Sequence, residues 1–349
     1  MTMRVAINGL GRIGRAVLKV LDDEPSIELV AVNDLGEAEN LAYLLRYDTV
    51  YGRYAKKVAV AGNDLIVAGR RLRTLRCRDP LELPWKKLGI DLVFECTGVH
   101  TRREDLEKHI CAGARFVLLS APSKDEDVGT VIHGVNKSDA APAIISCASC
   151  TTNCVTPIVE IIGRRIGIRK AVMTTVHAYT SSQSLVDGGG KQFRRGRSAA
   201  ANLVPSTTGA AHATTRALPQ YAELFDGIAI RTPVPVGSIA DVTFVTSRAT
   251  SVDEVNEVFT EEASTPRYAG VLGVSYDPLV SSDIVGDPRA SIVDLELTKV
   301  VNHDLVKVMS WYDNEWGYAN QMVRQALEVL GKGNSAVLQS SSQTESVAV

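Results

Sequence analysis

The sequence lacks most features that would assign a class at a glance. It has no excess charge: 38 Lys and Arg stand against 40 Asp and Glu, a formal net charge of −2 over 349 residues. A domain that neutralises nucleic-acid phosphates carries a basic excess, so nucleic acid is not an expected partner. No apolar run approaches the ~20 residues a membrane-spanning helix requires, so no membrane partner is expected either. The opening, MTMRVAINGLGRIGRAV, enters a strand pattern at once, without the layout of a secretory leader. Six cysteines in so long a chain do not make a disulfide scaffold. We find no internal repeat. These absences point to a soluble protein of a reducing compartment, and we expect a cytoplasmic one. What is present is ordinary globular composition, 45% hydrophobic and 22% charged, in a chain long enough for two domains.

The first half alternates strand and helix signals. Arg4–Asn8, Glu28–Asp34, Asp91–Cys96 and Phe116–Leu119 are continuous apolar runs, separated by helical stretches at Arg12–Leu21, Glu37–Leu45 and Arg102–Cys111. Buried strands alternating with helices predict βαβ units and a mostly parallel sheet. Lys57–Leu75 reads as a hairpin excursion, its short runs broken by Gly-Asn-Asp and Gly-Arg-Arg. After a helical Val155–Arg164 strands dominate: Ala171–His177, Ile228–Arg231, Asp241–Thr246, Ile292–Leu297 and Leu305–Trp311. This half reads as α+β, a mixed or antiparallel sheet with a few helices on one face. Asn314–Leu330 returns to helix, and the Ser- and Gln-rich residues 332–349 read as a disordered tail.

Gly9-Leu-Gly11-Arg-Ile-Gly14 follows a strand and opens a helix, and Asp34 ends the next strand twenty residues after Gly14. That placement is what a dinucleotide site demands: glycines for a tight turn, close pyrophosphate approach and helix–strand packing, with an acid for the ribose hydroxyls. A carboxylate at Asp34 favours NAD and repels a 2′-phosphate. Arg78 stands as a phosphate partner that leaves NADP a secondary cofactor.

Cys150 lies in Ser146-Cys-Ala-Ser-Cys150-Thr-Thr-Asn-Cys154, just before the predicted helix, where free N–H groups favour a thiolate. Cys147, Cys150 and Cys154 lack a second CxxC or paired His, so we expect no metal. His177 ends a strand and opens onto a polar loop. Paired with Cys150 it would act as base and hold the thiolate as an ion pair. The other histidines, His100, His109, His133, His212 and His303, have less suggestive neighbours. Downstream, Arg194-Arg195-Gly-Arg197, Thr207-Thr208-Gly209 before Ala210–Ala217, and Arg231 at a strand end supply donors for phosphate.

SCASCTTNC, HAYT, RRGR, STTGAA, the strand ending at Arg231, and WYDNEWGY together resemble the phosphorylating glyceraldehyde-3-phosphate dehydrogenases from about Val5 to Val329. The resemblance implies an α/β chain: an N-terminal Rossmann domain (1–149 with 314–331) and a catalytic domain (150–313). It also implies a homotetramer, with the segment 181–205 lining the cofactor cleft and a subunit interface. It makes Cys150 the nucleophile and His177 the base. Ser149, Thr151, Thr208 and Gly209 then surround the attacking inorganic phosphate, Thr180 and Arg231 hold the substrate phosphate, and Arg195 borders both. Gly9, Arg12, Ile13, Asp34, Ser120 and Asn314 match cofactor contacts, Asn314 at the nicotinamide amide.

Four departures stand out. Ser182 replaces a frequent Asp, His212 a common Lys, Val236-Gly237-Ser238 the familiar Asn-Val-Ser, and Gly188-Gly189 a region where many strictly NAD-dependent members carry Pro. They bear on substrate affinity and cofactor strictness. Erythrose-4-phosphate dehydrogenase and a non-catalytic binding protein on the same fold are the alternative readings.

Overall fold

Strand β1 (Met3–Asn8) turns through the glycines into helix α1 (Arg12–Leu21) and strand β2 (Ile27–Asn33). The structure is a computed structural model that describes residues 2–137, 143–189 and 192–344, with side chains as far as 331. Strands β3 (Arg70–Leu75), β4 (Leu92–Glu95), β5 (Phe116–Leu119) and β6 (Ile144–Ser146) complete a parallel array ordered β6-β5-β4-β1-β2-β3. Helices cover it, so Val5, Ala6, Ile7, Leu92, Val93 and Phe94 are all fully buried. That is why these strands read as unbroken apolar runs. Parallel pairing sets Asn8 opposite Asn33, which brings Gly9 and Asp34 together just past the strand ends. β1 has β2 on one side and β4 on the other, and the crevice opens at their carboxyl ends, the switch point of such sheets.

The region 57–75 differs from expectation. Val58–Ala61, Asp64–Val67 and β3 form an antiparallel meander, and β3 pairs in parallel with β2. The excursion is therefore one edge of a nine-stranded sheet, held there because Leu65, Val67 and Leu72 bury against Leu41 and Leu45.

The second half is built from helix α2 (Cys150–Arg165), strand β7 (Ile168–Ala178), helix α3 (Ala210–Ala217), strands β8 (Phe225–Thr232), β9 (Ser238–Thr246), β10 (Ser291–Val301) and β11 (Leu305–Tyr312), and helix α4 (Trp316–Thr344). Its seven-stranded sheet runs Val204–Thr207, β8, β7, β9, β11, β10, Leu272–Ser275. β7 is parallel to β8 and antiparallel to β9, so the sheet is mixed, as its sequence suggested. β9 and β11 alternate buried and half-exposed positions, because one face packs under helices and the other does not.

α2 starts five residues before the predicted helix: Ser149 caps it, its hydroxyl accepting from the Thr152 N–H at 3.1 Å. α4 is capped in the same way by Asp313, whose carboxylate accepts from the Glu315 and Trp316 N–H groups. It returns to the first sheet, where Tyr318, Ala319, Met322, Val323 and Ala326 join the core of Val5, Ile7 and Val17. Where a disordered tail from 332 was expected, the backbone of α4 stays helical to Thr344, with no proline to stop it. The rest of that expectation, residues 345–349, lies outside the described residues.

Met322 is fully buried in this docking. Met322→Ala should cost about 2–5 kcal/mol, read as a lower urea midpoint in equilibrium unfolding. An unchanged midpoint would show that α4 is not anchored there.

Candidate active site

The turn after β1 leaves room for a ligand and for nothing else. Gly9 has φ +92°, and a Cβ on it would lie 2.7 Å from the Thr97 nitrogen. A Cβ on Gly14 would lie 2.0 Å from the Gly9 carbonyl oxygen, so α1 must pass bare against the turn. Around Gly11, by contrast, there is open space. α1 begins there with no side-chain cap on its free N–H groups, beside a cavity of about 340 Å³ that Gly9, Gly11, Asp34, Leu35 and Arg78 help to line. Asp34 accepts from the Leu10 N–H at 2.7 Å and the Gly36 N–H at 2.8 Å, which aims its carboxylate along the cavity wall. These residues fit a dinucleotide: an anion cradle at a helix start beside a fixed acid.

A second cavity, about 510 Å³, lies at the seam between the halves. Cys150 is the first residue of α2 and packs against both large cores. The turn that delivers it includes Ala148 at φ +55°, a strained left-handed conformation for a residue with a Cβ. Two bonds hold Ala148 there: its N–H donates to Ser146 Oγ at 3.1 Å, and Tyr318 donates to its carbonyl at 2.9 Å.

The Cys150 Sγ lies 3.4 Å from His177 Nε2. On the far side of the ring, Nδ1 lies 2.7 Å from the Ala178 carbonyl oxygen and 2.7 Å from an Arg231 nitrogen, which also donates to that carbonyl at 3.1 Å. The Arg231 N–H can only donate, so it and the Ala178 carbonyl call for opposite forms of Nδ1; the tautomer with its proton on Nδ1 donates to Ala178 and turns a free lone pair toward the thiol. That is a general base within reach of its proton.

Burial raises the Cys150 thiol, against the Arg231 charge and the N–H groups of Thr151 and Cys150, which favour the thiolate. Burial and then Arg231 push His177 down to about 3. Burial thus works against both charged forms, while Arg231 favours the thiolate and disfavours the imidazolium.

Arg195 and Arg231 both line this cavity, and among the described residues neither pairs with a carboxylate; the Nε of each is buried and unbonded. Two uncompensated guanidiniums beside a nucleophile call for an anion. Thr180, Thr208, Gly209 and Ser120 line the same space. The other two arginines of the cluster point elsewhere: Arg197 pairs with Asp187, and Arg194 lines an outer cavity with Phe193.

Two family models match the chain: the glyceraldehyde 3-phosphate dehydrogenase NAD binding domain over residues 3–103, and the C-terminal domain of the same family over residues 149–314. Glyceraldehyde-3-phosphate dehydrogenase of Streptomyces coelicolor is 47% identical over 327 residues, 93% of this chain and 97% of the relative. The proteins of the same name from Mycobacterium tuberculosis (47% over 332 residues, 93% and 97%) and Zymomonas mobilis (44% over 333 residues, 94% and 99%) are similar to the same extent. The chain belongs to the glyceraldehyde-3-phosphate dehydrogenase family.

Most residues singled out from the family motifs converge. Arg12, Ile13, Ser120, Ser149, Cys150, Thr151, His177, Thr180, Arg195, Thr208, Gly209, Arg231 and Asn314 all line the seam cavity. Gly9, Gly11, Asp34 and Arg78 line the first, and Gly14 lines neither, packing inside the turn. Two side chains are already engaged. Arg12 is bound by Asp48 and Glu315, which leaves its backbone N–H for a ligand. The Thr151 hydroxyl bonds Tyr312 at 2.8 Å. Cys147 and Cys154 are buried away from the cleft, Cys154 against Ser291 and the Ser310 carbonyl.

Sequence reasoning missed Ala148, Tyr312 and Tyr318. Tyr312 lies edge-on to His177, with centroids 6.0 Å apart, and its hydroxyl also bonds Thr175. Tyr312 and Tyr318 fall in the WYDNEWGY motif and Ala148 in SCASCTTNC, which were the only signals for them.

Replacing Arg231 by Gln removes the cation that favours the thiolate and disfavours the imidazolium. The thiol should then ionise at higher pH, and the pH profile of Cys150 alkylation by iodoacetamide should move upward. A profile that stays in place or moves down would remove Arg231 from the electrostatics of the pair.

Proposed function

We propose that this protein oxidises D-glyceraldehyde 3-phosphate with inorganic phosphate to 1,3-bisphosphoglycerate and reduces NAD, as an enzyme of glycolysis and gluconeogenesis. One observation carries the reading: a thiol and an imidazole 3.4 Å apart, flanked by two guanidiniums without carboxylate partners among the described residues. A phosphorylated aldehyde satisfies both halves of that arrangement.

In this reading Arg231 and Thr180 take the substrate phosphate, Arg195 borders both anions, and Ser149, Thr151, Thr208 and Gly209 receive inorganic phosphate. The Cys150 sulfur attacks the aldehyde carbon while its proton crosses to His177 Nε2 and is returned to the new hydroxyl. The Cys150 and Thr151 N–H groups at the start of α2 and the His177 ring stabilise the oxyanion before that return. His177 then takes the hydroxyl proton as the C–H bond breaks, and a thioester remains on Cys150. When bound, NAD supplies the hydride acceptor. Inorganic phosphate attacks the thioester and releases the acyl phosphate and the thiol.

Gly9, Gly11, Gly14, the N–H groups of Arg12 and Ile13, Asp34, Ser120 and Asn314 would hold the cofactor, with Asp34 favouring NAD and Arg78 allowing NADP a secondary place. The division into 1–149 with 314–331 and 150–313 is supported by the two sheets and the return of α4 to the first core. A homotetramer is supported by exposed apolar side chains on the segment 181–205, among them Phe193 (91% exposed), Val186 and Leu203, and on the uncovered sheet face at Val172 and Ile228. No helix of the described residues is long and apolar enough to cross a membrane, in keeping with a cytoplasmic place.

The test is NADH formation with glyceraldehyde 3-phosphate or erythrose 4-phosphate, with and without phosphate. Phosphate-dependent turnover that prefers the first substrate and is lost in Cys150→Ser supports the reading. Phosphate-independent turnover of the second assigns the protein to the other activity, and no turnover leaves a binding protein. In the same assay Asp34→Gly should narrow the NAD over NADP preference in kcat/KM by at least about tenfold, or ~1.4 kcal/mol. An unchanged ratio would take Asp34 out of cofactor choice.

A further inference from the structure

The hydrogen-bond pattern behind Asn314 has a polarity that its sequence neighbours do not announce. The Asn314 Oδ1 accepts two bonds, from the Gly237 N–H at 3.2 Å and from the Ser238 hydroxyl at 3.0 Å. A backbone N–H can only donate, so the amide is oriented without ambiguity. The oxygen faces the protein, and Nδ2 has no protein acceptor among the described residues. Asn314 lines the seam cavity, so this unpaired donor is the part of the amide left for a ligand.

Ser238 is nearly fully buried, and its oxygen has a second, fixed partner: it accepts from the Ala178 N–H at 3.1 Å. With that acceptor position used, its single hydrogen is committed to Asn314. Ala178 directly follows His177, and its carbonyl oxygen is the acceptor 2.7 Å from His177 Nδ1. One side chain therefore ties the amide at the start of α4 to the peptide that orients the base. Gly237 completes the arrangement. Its φ is +91°, a left-handed conformation that glycine adopts without strain, and its N–H is thereby set on Asn314.

We propose that Ser238 is a positioning residue for the cofactor's nicotinamide end: its hydroxyl, with the Gly237 N–H, locks the Asn314 amide so that Nδ2 is presented to a carboxamide oxygen at a fixed distance from the His177–Cys150 pair. Without the hydroxyl, Asn314 keeps a single constraint and its donor is no longer held in place. This rests on the reading of the cleft as a nicotinamide dinucleotide site, and it extends that reading from the residues that face the ligand to the one behind them.

The experiment is calorimetric titration of the full chain with NAD and with ADP-ribose, which lacks the nicotinamide, for the unmodified protein and for Ser238→Ala. The Kd for NAD should rise about 3- to 10-fold, the span one neutral hydrogen bond supports, while the Kd for ADP-ribose stays within about twofold. A merely structural serine would move both. In steady-state assays kcat should fall about tenfold with the KM for the phosphorylated aldehyde unchanged, as a misplaced hydride acceptor requires. Ser238→Thr, which keeps the hydroxyl, should restore both. If Ser238→Ala does not fold, judged by its melting curve, Asn314→Asp asks the same question: it keeps the oxygen that Gly237 and Ser238 bond but removes the Nδ2 donor, and should weaken NAD alone. Equal losses for NAD and ADP-ribose, or no loss for either, would overturn the proposal while the functional reading stands. An unmodified protein that binds neither ligand would sink both.

Discussion

A partly buried guanidinium, Arg231, with no carboxylate partner among the described residues is the charge on which the cleft is organised. Arg231 and His177 face each other because β7 and β8 pair in parallel with those two residues in register. Burying such a charge without a counter-ion is costly, and the protein tolerates it only because backbone carbonyls and a ligand anion can answer it. The cost has two returns. The cation adds to burial in disfavouring the imidazolium, and it leaves the cleft short of one negative charge, which a phosphorylated substrate brings.

The seam between the halves depends on a second set of charges. Arg12, at the start of α1, binds Asp48 and Glu315; burial works against its charge, but the two carboxylates outweigh it and hold it firmly ionised. Next to it, the Tyr51 hydroxyl donates to Asp313, the cap of α4. Residues 313–315 thus leave the second sheet, cap a helix, bond the first helix and carry Asn314 into the cleft. The Cys150 thiol lies at the same junction, packed against both cores. A site made from two sheets needs its relative geometry set by something other than either core, and this ionic and hydrogen-bonded knot supplies it.

Much of the architecture was legible in advance, for reasons that are local. The run from β1 through Gly9–Gly14 to α1 is written in chain-adjacent residues, because each glycine answers a clash that neighbouring backbone creates. The strands of the parallel sheet read as apolar runs because both their faces are covered. Cys150 was legible as a helix-start thiol, and the family motifs carried His177, Arg231 and Asn314. The starting point of α2 was placed late, since a threonine- and asparagine-rich first turn has no apolar period and only the Ser149 cap reveals it. The meander at 58–75 was taken for an excursion because pairing of β3 with β2 is a long-range choice.

The sequence by itself determined most element types, the dinucleotide turn, the family and the candidates for the reacting groups, because these follow from periodicity, glycine stereochemistry and residue chemistry within short spans. Tertiary structure alone decided the surroundings that shift the Cys150–His177 pair, since desolvation and the Arg231 charge depend on what packs around each group. It alone placed Ala148 in a left-handed turn and set Ser238 between Asn314 and Ala178. Those contacts join residues tens to hundreds of positions apart, and no local pattern encodes which side chain a distant strand will present. Only the packing of two sheets against a shared seam makes that choice.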